Sequence, residues 1–336
     1  MQNFLKSNTL GLLIAASVAA TAAPAAVADS LPGAGKTVKP GIATDESRFA
    51  LEVVDLGLEK LGFKIEPIAT TTVEAGYVAT AQGDLDIWGE DWEHDHDAYI
   101  EKAGGAAALQ PVGVLVDGAF GAYVIDKKTA DQYHINSVKQ FADKKIAALF
   151  DSDGDGRANL AGCPVGWGCD PIIAHHLTAY GIGDNIQNDQ GDFVVTHSDV
   201  INRFKEGKPV FYYTYEPLWL NQVLVPGKDA VFLEVPFSTF PDGKDYNTKL
   251  PDGRNIGFQM LRIRIVGNTK FLNENPAAKK LIEQVNVPIA DVDAENLQIY
   301  HGEKSYDQIH GHAVAWVQAH QALFDGWVAE AMKAAK

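Results

Sequence analysis

Cysteine is nearly absent from this chain: there are two in 336 residues, Cys163 and Cys169. That excludes a disulfide-dense scaffold and leaves the fold to a hydrophobic core. No apolar run after the N-terminal segment approaches the ~20 residues a spanning helix needs, so the mature chain is expected to be soluble and not membrane-embedded. Positive charge is scarce, with 28 Lys and Arg against 44 Asp and Glu, a formal net charge of -16. Such a chain repels phosphates, which argues against nucleic acid as a partner and is explained by solubility. No G-x-S-x-G or H-E-x-x-H motif occurs. Gly33-Ala34-Gly35-Lys36-Thr37 imitates a phosphate loop, but position 30 is Ser and no strand precedes it. Internal repeats, coiled-coil heptads and long disordered tracts are also missing.

The N-terminus reads as an export signal. Lys6 supplies a positive charge, Leu10 to Ala20 form a short apolar stretch, and Ala26-Val27-Ala28 is a cleavage motif. The mature chain is expected to start at Asp29 and to reside in the periplasm. The alternative, an N-terminal membrane anchor, needs a longer run. No Cys follows the cleavage site, so lipid anchoring there is unavailable. The remaining 308 residues (336 minus 28) suit two ordinary domains, and a hydrophobic fraction of 46% is enough for a core. Export places both cysteines where disulfides persist. A bridge would close a seven-residue loop, worth about 2.4 kcal/mol and serving to hold that loop rigid. Two free thiols or half of a metal site are the alternatives.

Strand and helix signals alternate along the chain. Residues 29–43 lead into a first strand, and residues 44–62 read as a helix capped by Thr44 or Asp45 and ended by Gly62. A strand at 63–68 follows, which suggests a parallel sheet. Residues 111–125 read as extended and carry the chain into a second lobe. That lobe holds a Gly- and Asp-rich loop at 149–170, a helix at 198–206, strands at 210–215 and 230–235, and a surface loop at 238–254. Residues 260–266 return as a strand. Helices at 276–285 and 310–335 close the chain, the last presenting Val314, Val317, Phe324 and Trp327 to the core.

Three constellations carry chemistry. Trp92 and His96 lie four apart, share a face if helical, and are extended by Tyr99, with Trp88 one turn earlier. A core face rarely needs a histidine, and the flanking Glu90, Asp91, Glu93, Asp95 and Asp97 suggest solvent nearby. The second is Cys163-Pro164-Val165-Gly166-Trp167-Gly168-Cys169. Its glycines free the backbone for close approach, and their N–H groups suit an anion. The third is the strand Tyr212-Tyr213-Thr214-Tyr215, where Tyr213 and Tyr215 share a face.

At these positions the chain closely resembles the glycine betaine/proline betaine binding proteins of ABC importers (ProX type), over nearly the whole mature chain. The likeness extends to Asp126-Lys127-Lys128-Thr129-Ala130-Asp131-Gln132-Tyr133, to Leu149 through Gly156, to Lys205 through Thr214, and to the tail with Gly311, His312, Trp316, His320, Phe324 and Trp327. The Cys163–Cys169 loop is the most specific segment. The resemblance implies a two-lobed α/β type II periplasmic-binding fold with a hinge and an inter-lobe ligand cleft. Lobe I would be 29–118 plus 257–336, and lobe II 119–256. It implies three aromatic walls around a trimethylammonium group: Trp92, Trp167 and, where the family carries Trp, Tyr215. It places the ligand carboxylate on His96 and on the backbone N–H groups of Gly168 and Cys169. The implied partners are a small methylated zwitterion and the membrane permease of an importer, with no catalysis, no required cofactor and a monomeric state.

The physics of the residues agrees. A quaternary ammonium has no N–H to donate, and aromatic faces attract it by about 2 kcal/mol or more per ring when desolvated. A primary ammonium would lose its water hydrogen bonds there. Choline and dimethylsulfoniopropionate are alternative ligands, and the carboxylate site argues against choline. Asp151, Asp153 and Asp155 stand at alternate positions like the start of a calcium loop, with Gly156 sixth, but the twelfth position is Gly162 and not Glu. A structural calcium and a plain Asx-turn loop are both open. A metal-dependent enzyme using His94, His96 and the Asp-rich segments is the rival of another class. On a helix, though, His94 would point away from His96.

Overall fold

Residues 31–335 are described by a computed structural model. The expected export signal, residues 1–28 with Ala26-Val27-Ala28, lies outside the described residues. Among the described residues there are eleven strands: β1 (Thr37–Val38), β2 (Pro40–Ile42), β3 (Lys64–Ile65), β4 (Ala69–Thr70), β5 (Ile87–Trp92), β6 (Leu109–Asp126), β7 (Ala158–Ala161), β8 (Ile186–Asp189), β9 (Phe211–Glu216), β10 (Ala230–Phe232) and β11 (Met260–Asn268). Nine form one sheet in the order β4-β2-β5-β11-β6-β9-β7-β8, with β10 added alongside β6. The expected parallel pairings appear at both ends, in β2 with β4 and β5, and in β7 with β8 and β9. The centre is antiparallel, because β11 pairs with β5 and β6, and β6 with β9.

The 18-residue strand β6 runs from one core into another. Val112, Leu115, Val116 and Ala119 pack with the helix Arg48–Lys60 and the C-terminal helices. Ala122, Tyr123, Val124 and Ile125 pack with β9 and the helices Cys169–Ala179 and Phe193–Lys205. β11 returns beside β6, with Leu261, Ile263 and Ile265 in the first core and the preceding Phe258 in the second. A smaller third cluster gathers Tyr77, Leu85, Trp88 and Val266.

Local signals explain most elements. Thr44 precedes a 3-10 turn and the helix Arg48–Lys60, and Gly62 at φ 93° turns the chain out of it. The expected C-terminal helix at 310–335 is two helices, Tyr306–Ala319 and Gln321–Ala334. The break is at His320, whose φ of -113° leaves the helix, whose Nδ1 lies 2.9 Å from the Trp316 carbonyl, and whose ring stacks on Trp316. Val317, Phe324 and Trp327 are buried as expected, but Val314 is only half-buried, and Ala313 and Trp316 take the core face.

The helix Val73–Gln82 docks on β5 through a glycine. A Cβ on Gly76 would lie 2.2 Å from a ring carbon of Trp88, which is fully buried and cannot withdraw. Gly76→Ala is expected to cost about 1–3 kcal/mol by overpacking. Urea unfolding at unchanged m-value checks it; an unaltered midpoint would show that the ring has room.

Candidate functional site

One cavity lies where the two larger cores meet, and Trp92, His96, Trp167, Gly168, Cys169 and Tyr215 all line it. Trp92 ends β5 and packs against both of these cores. Tyr215 comes from β9 and meets the Trp92 ring edge-to-face at 5.4 Å and the Trp167 ring at 6.1 Å. Trp167 stacks on Phe193 at 5.4 Å, which fixes its ring at the wall. Three aromatic walls therefore meet at wide angles, the arrangement in which ring faces surround a guest. Tyr213 shares the strand face with Tyr215 and lines the same cavity.

The opposite chemistry enters from the Cys163–Cys169 loop. The disulfide is formed, with Cα atoms 5.9 Å apart. The helix Cys169–Ala179 starts on it, so its first N–H groups and positive dipole end border the cavity. Among the described residues, the N–H groups of Gly168 and Cys169 have no backbone or side-chain acceptor. Gly168 is held tight: a Cβ there would sit 2.6 Å from Asp95 Cβ and 3.0 Å from the Asp95 carbonyl oxygen. The loop is further tied down by Tyr99, whose hydroxyl donates to the Gly166 carbonyl at 2.6 Å.

The segment around Trp92 departs from expectation in two ways. It is a strand, a turn and then the short helix Asp97–Lys102, not one helix from Trp92 to Tyr99. The four-residue spacing still joins Trp92 to His96, because His96 N–H bonds the Trp92 carbonyl at 3.0 Å across the turn. Trp88 points into the third cluster and not into the cavity. The second departure is solvent: Glu90, Asp91 and Glu93 are buried. Each has donors. Glu90 accepts from Ala43 N–H at 2.8 Å and Thr44 N–H at 3.0 Å. Asp91 accepts from Arg264 at 2.7 Å, and Glu93 is held by Arg262 and Arg264.

Sequence reasoning missed that Glu46, Glu90 and Asp95 also line the cavity. Alternation along β5 was the available signal, but the density of charge pointed to solvent. Burial pushes the Glu90 and Asp95 carboxyls up to about 7, against their hydrogen bonds from Ala43 and Thr44 and from Gln259. Burial likewise pushes His96 down to about 3, so its ring is neutral.

The remaining motifs lie elsewhere. His94 is exposed at φ 69° and sits 3.2 Å from Asp97, and it does not converge with His96. Among the described residues, the one metal-competent cluster of three or more groups is Asp151, Asp153 and Asp155, with ligand atoms within 4.8 Å and no histidine. Asp151 accepts from the N–H groups of Gly154 and Gly156 at 2.7 and 2.8 Å, an Asx-turn pattern, and Asp155 pairs with Arg157. No described helix is long and apolar enough to cross a membrane.

Residues 36–319 match the family described as the substrate binding domain of ABC-type glycine betaine transport systems. The chain is 45% identical over 311 residues to the glycine betaine-binding periplasmic protein OusX of Dickeya dadantii, covering 92% of this chain and 94% of that one. It is 45% identical over 310 residues to the glycine betaine/proline betaine-binding periplasmic protein of Escherichia coli, covering 92% and 94%. The fold matches lactococcal OpuAC, solved closed and complexed with glycine betaine, at TM-score 0.65 and 18% identity over 87% of this chain and 99% of that one. It also matches an ABC-transporter choline binding protein at TM-score 0.65 and 15% identity over 89% and 96%.

Two stability measurements test the loops. Replacing both Cys163 and Cys169 by Ser is expected to lower the unfolding free energy by about 2.4 kcal/mol. Added calcium is expected to leave the melting temperature unchanged, since Asp151 and Asp155 already hold donors; a rise with calcium but not magnesium would assign an ion to the loop.

Proposed function

The chain belongs to the substrate-binding family of ABC-type glycine betaine transport systems, and from that premise we propose that its aromatic cavity captures glycine betaine or a close methylated zwitterion such as proline betaine. The carrying observation is one cavity with two chemistries. Trp92, Trp167 and Tyr215 form the aromatic side, and the unpaired N–H groups of Gly168 and Cys169 with His96 form the anion side. A trimethylammonium loses little hydration that ring faces do not replace, and a carboxylate finds N–H donors at a helix start. Tyr215 is a weaker cation-π partner than Trp, which loosens that wall.

The lobes in this reading are residues 29–118 with 257–336, and residues 119–256. The division of the buried core supports this reading, with exceptions such as Phe258, which packs in the second core, and β6 and β11 are the connecting strands. Closure brings Trp92 and His96 against Trp167 and Tyr215, and the closed form is what a permease recognises. The chain is exported by its N-terminal signal and acts in the periplasm as a monomer, by capture alone and with no required cofactor. Dimethylsulfoniopropionate presents the same two groups. Glu46, Glu90 and Asp95 around the cavity favour a second reading, a cation without a carboxylate such as choline.

Intrinsic tryptophan fluorescence separates these readings. A saturable change with glycine betaine, and little with proline or choline, is expected; an equal response to choline would favour the second reading. Trp92→Ala and Trp167→Ala are each expected to weaken betaine by about 2 kcal/mol, roughly 30-fold. Unchanged affinity in Trp167→Ala would mean the box is elsewhere.

A further inference from the structure

Behind His96 lies a buried chain of polar groups that the aromatic box does not use. The Tyr77 hydroxyl, from the helix Val73–Gln82, stands 3.0 Å from His96 Nδ1 and donates to Asp91 Oδ1 at 2.6 Å. Asp91 Oδ2 accepts from Arg264 Nε at 2.7 Å; burial pushes this unexposed carboxyl up, and the Arg264 guanidinium and the Tyr77 hydroxyl oppose that push and favour its role as acceptor. Trp92 N–H also approaches Nδ1, at 3.3 Å. Tyr77 is wholly buried and stacked on Tyr99, so its hydroxyl has no water to turn to.

Counting protons exposes a deficit. The links from Nδ1 to Tyr77 and from Tyr77 to Asp91 need one proton each. A neutral ring protonated on Nε2 lets Nδ1 accept from Trp92 N–H, but Tyr77 then spends its one proton on Asp91 and faces Nδ1 lone pair to lone pair at 3.0 Å. A neutral ring protonated on Nδ1 fills both links but presents a bare Nε2, which repels a carboxylate. Only the imidazolium fills both links and still keeps a proton on Nε2, the ring nitrogen that neither Tyr77 nor Trp92 engages, on a residue that lines the cavity.

We propose that capture of a carboxylate-bearing ligand is proton-linked: His96 takes up one proton from solvent as the carboxylate arrives, and Tyr77 is the positioning residue that makes room for it by accepting from Nδ1. The inference rests on the betaine reading above. Trp92 N–H, the longest of these contacts, gives way in the charged state. Facing the ring are Tyr77 from one helix, Asp91 and the Glu90 carbonyl from β5, Arg264 from β11, and Asp97 and Tyr99 from the helix that follows it. The Glu90 and Asp95 carboxyls, both pushed up to about 7 by burial, line the same cavity and also take up protons beside an arriving anion, so the histidine spectra must assign the proton to His96. Asp97 favours the proton and Arg264 opposes it. No charged side chain of the Cys163–Cys169 loop lines the cavity; that loop offers Trp167, Gly168 and Cys169.

The sign follows from the empty state. Burial holds His96 down to about 3, so the empty ring is neutral at working pH. A ligand carboxylate raises that value. Between the two values the bound protein holds more protons than the free one, and affinity falls as pH rises, by up to tenfold per unit.

Calorimetric titration of the mature protein with glycine betaine at pH 5 to 8, in paired buffers of different ionisation enthalpy, tests this. Expected are uptake approaching one proton at the acid end, no uptake with any choline binding, and loss of uptake in Tyr77→Phe, which keeps the ring stack. ¹⁵N-histidine spectra of the unsubstituted protein are expected to show His96 Nδ1 gaining a proton on binding. Buffer-independent heat with clear betaine binding overturns the proposal and leaves the functional reading intact. Uptake that persists in Tyr77→Phe overturns the role of Tyr77. Absence of betaine binding overturns the functional reading, and the proposal with it.

Discussion

Burying negative charge without leaving it unpaired is the constraint on which this cavity depends. Glu90, Asp91 and Glu93 stand close together at and just past the end of β5, all buried, Glu90 on the Ala43–Thr44 turn and the other two on a shared pair of arginines. Glu90 fastens the turn at Ala43 and Thr44. Asp91 and Glu93 fasten β11 through Arg264 and Arg262. A buried carboxylate that lost its donor would be strongly destabilising, so these pairs fix register even where they add little net stability. They hold the end of β5, and with it Trp92 and the turn to His96, as a rigid wall.

Against that wall the second core brings flat aromatic surface and an unsatisfied helix start. The helix Cys169–Ala179 cannot bond its own first N–H groups. The disulfide loop places two of them at the cavity and not in bulk water. The aromatic rings are braced from behind, Trp167 by Phe193 and Phe193 in turn by His197. Neither core alone encloses a guest; the chemistry is assembled across their junction.

Much of this was legible in the sequence where one residue type admits few uses. The Cys163–Cys169 loop with its flanked Trp167, the aromatic alternation of β9 and the spacing of Trp92 and His96 all mark cavity residues. The spacing was right for a different reason than supposed, since a single turn after a strand brings i and i+4 together as a helix does. The acidic run misled, because its arginine partners lie some 170 positions away and no local pattern announces them. The mixed sheet was likewise hidden: parallel units read from local alternation, whereas the antiparallel centre depends on β11 returning beside β6. The tail helix broke at His320 because a side chain capping the preceding turn leaves no signal like Gly or Pro.

The contact between Gly168 and Asp95 sets the calibre of the cavity. Backbone meets side chain and carbonyl so closely that even a methyl group does not fit between them. The two sides therefore meet a hard stop, and further shrinkage around a smaller guest is blocked. If the aromatic cavity holds a methylated cation, one with fewer methyl groups would leave space that the contact at Gly168 does not let the walls close, and would lose dispersion with them. Discrimination by size would then rest on a backbone contact one residue from Trp167 and not on the chemistry of the rings themselves.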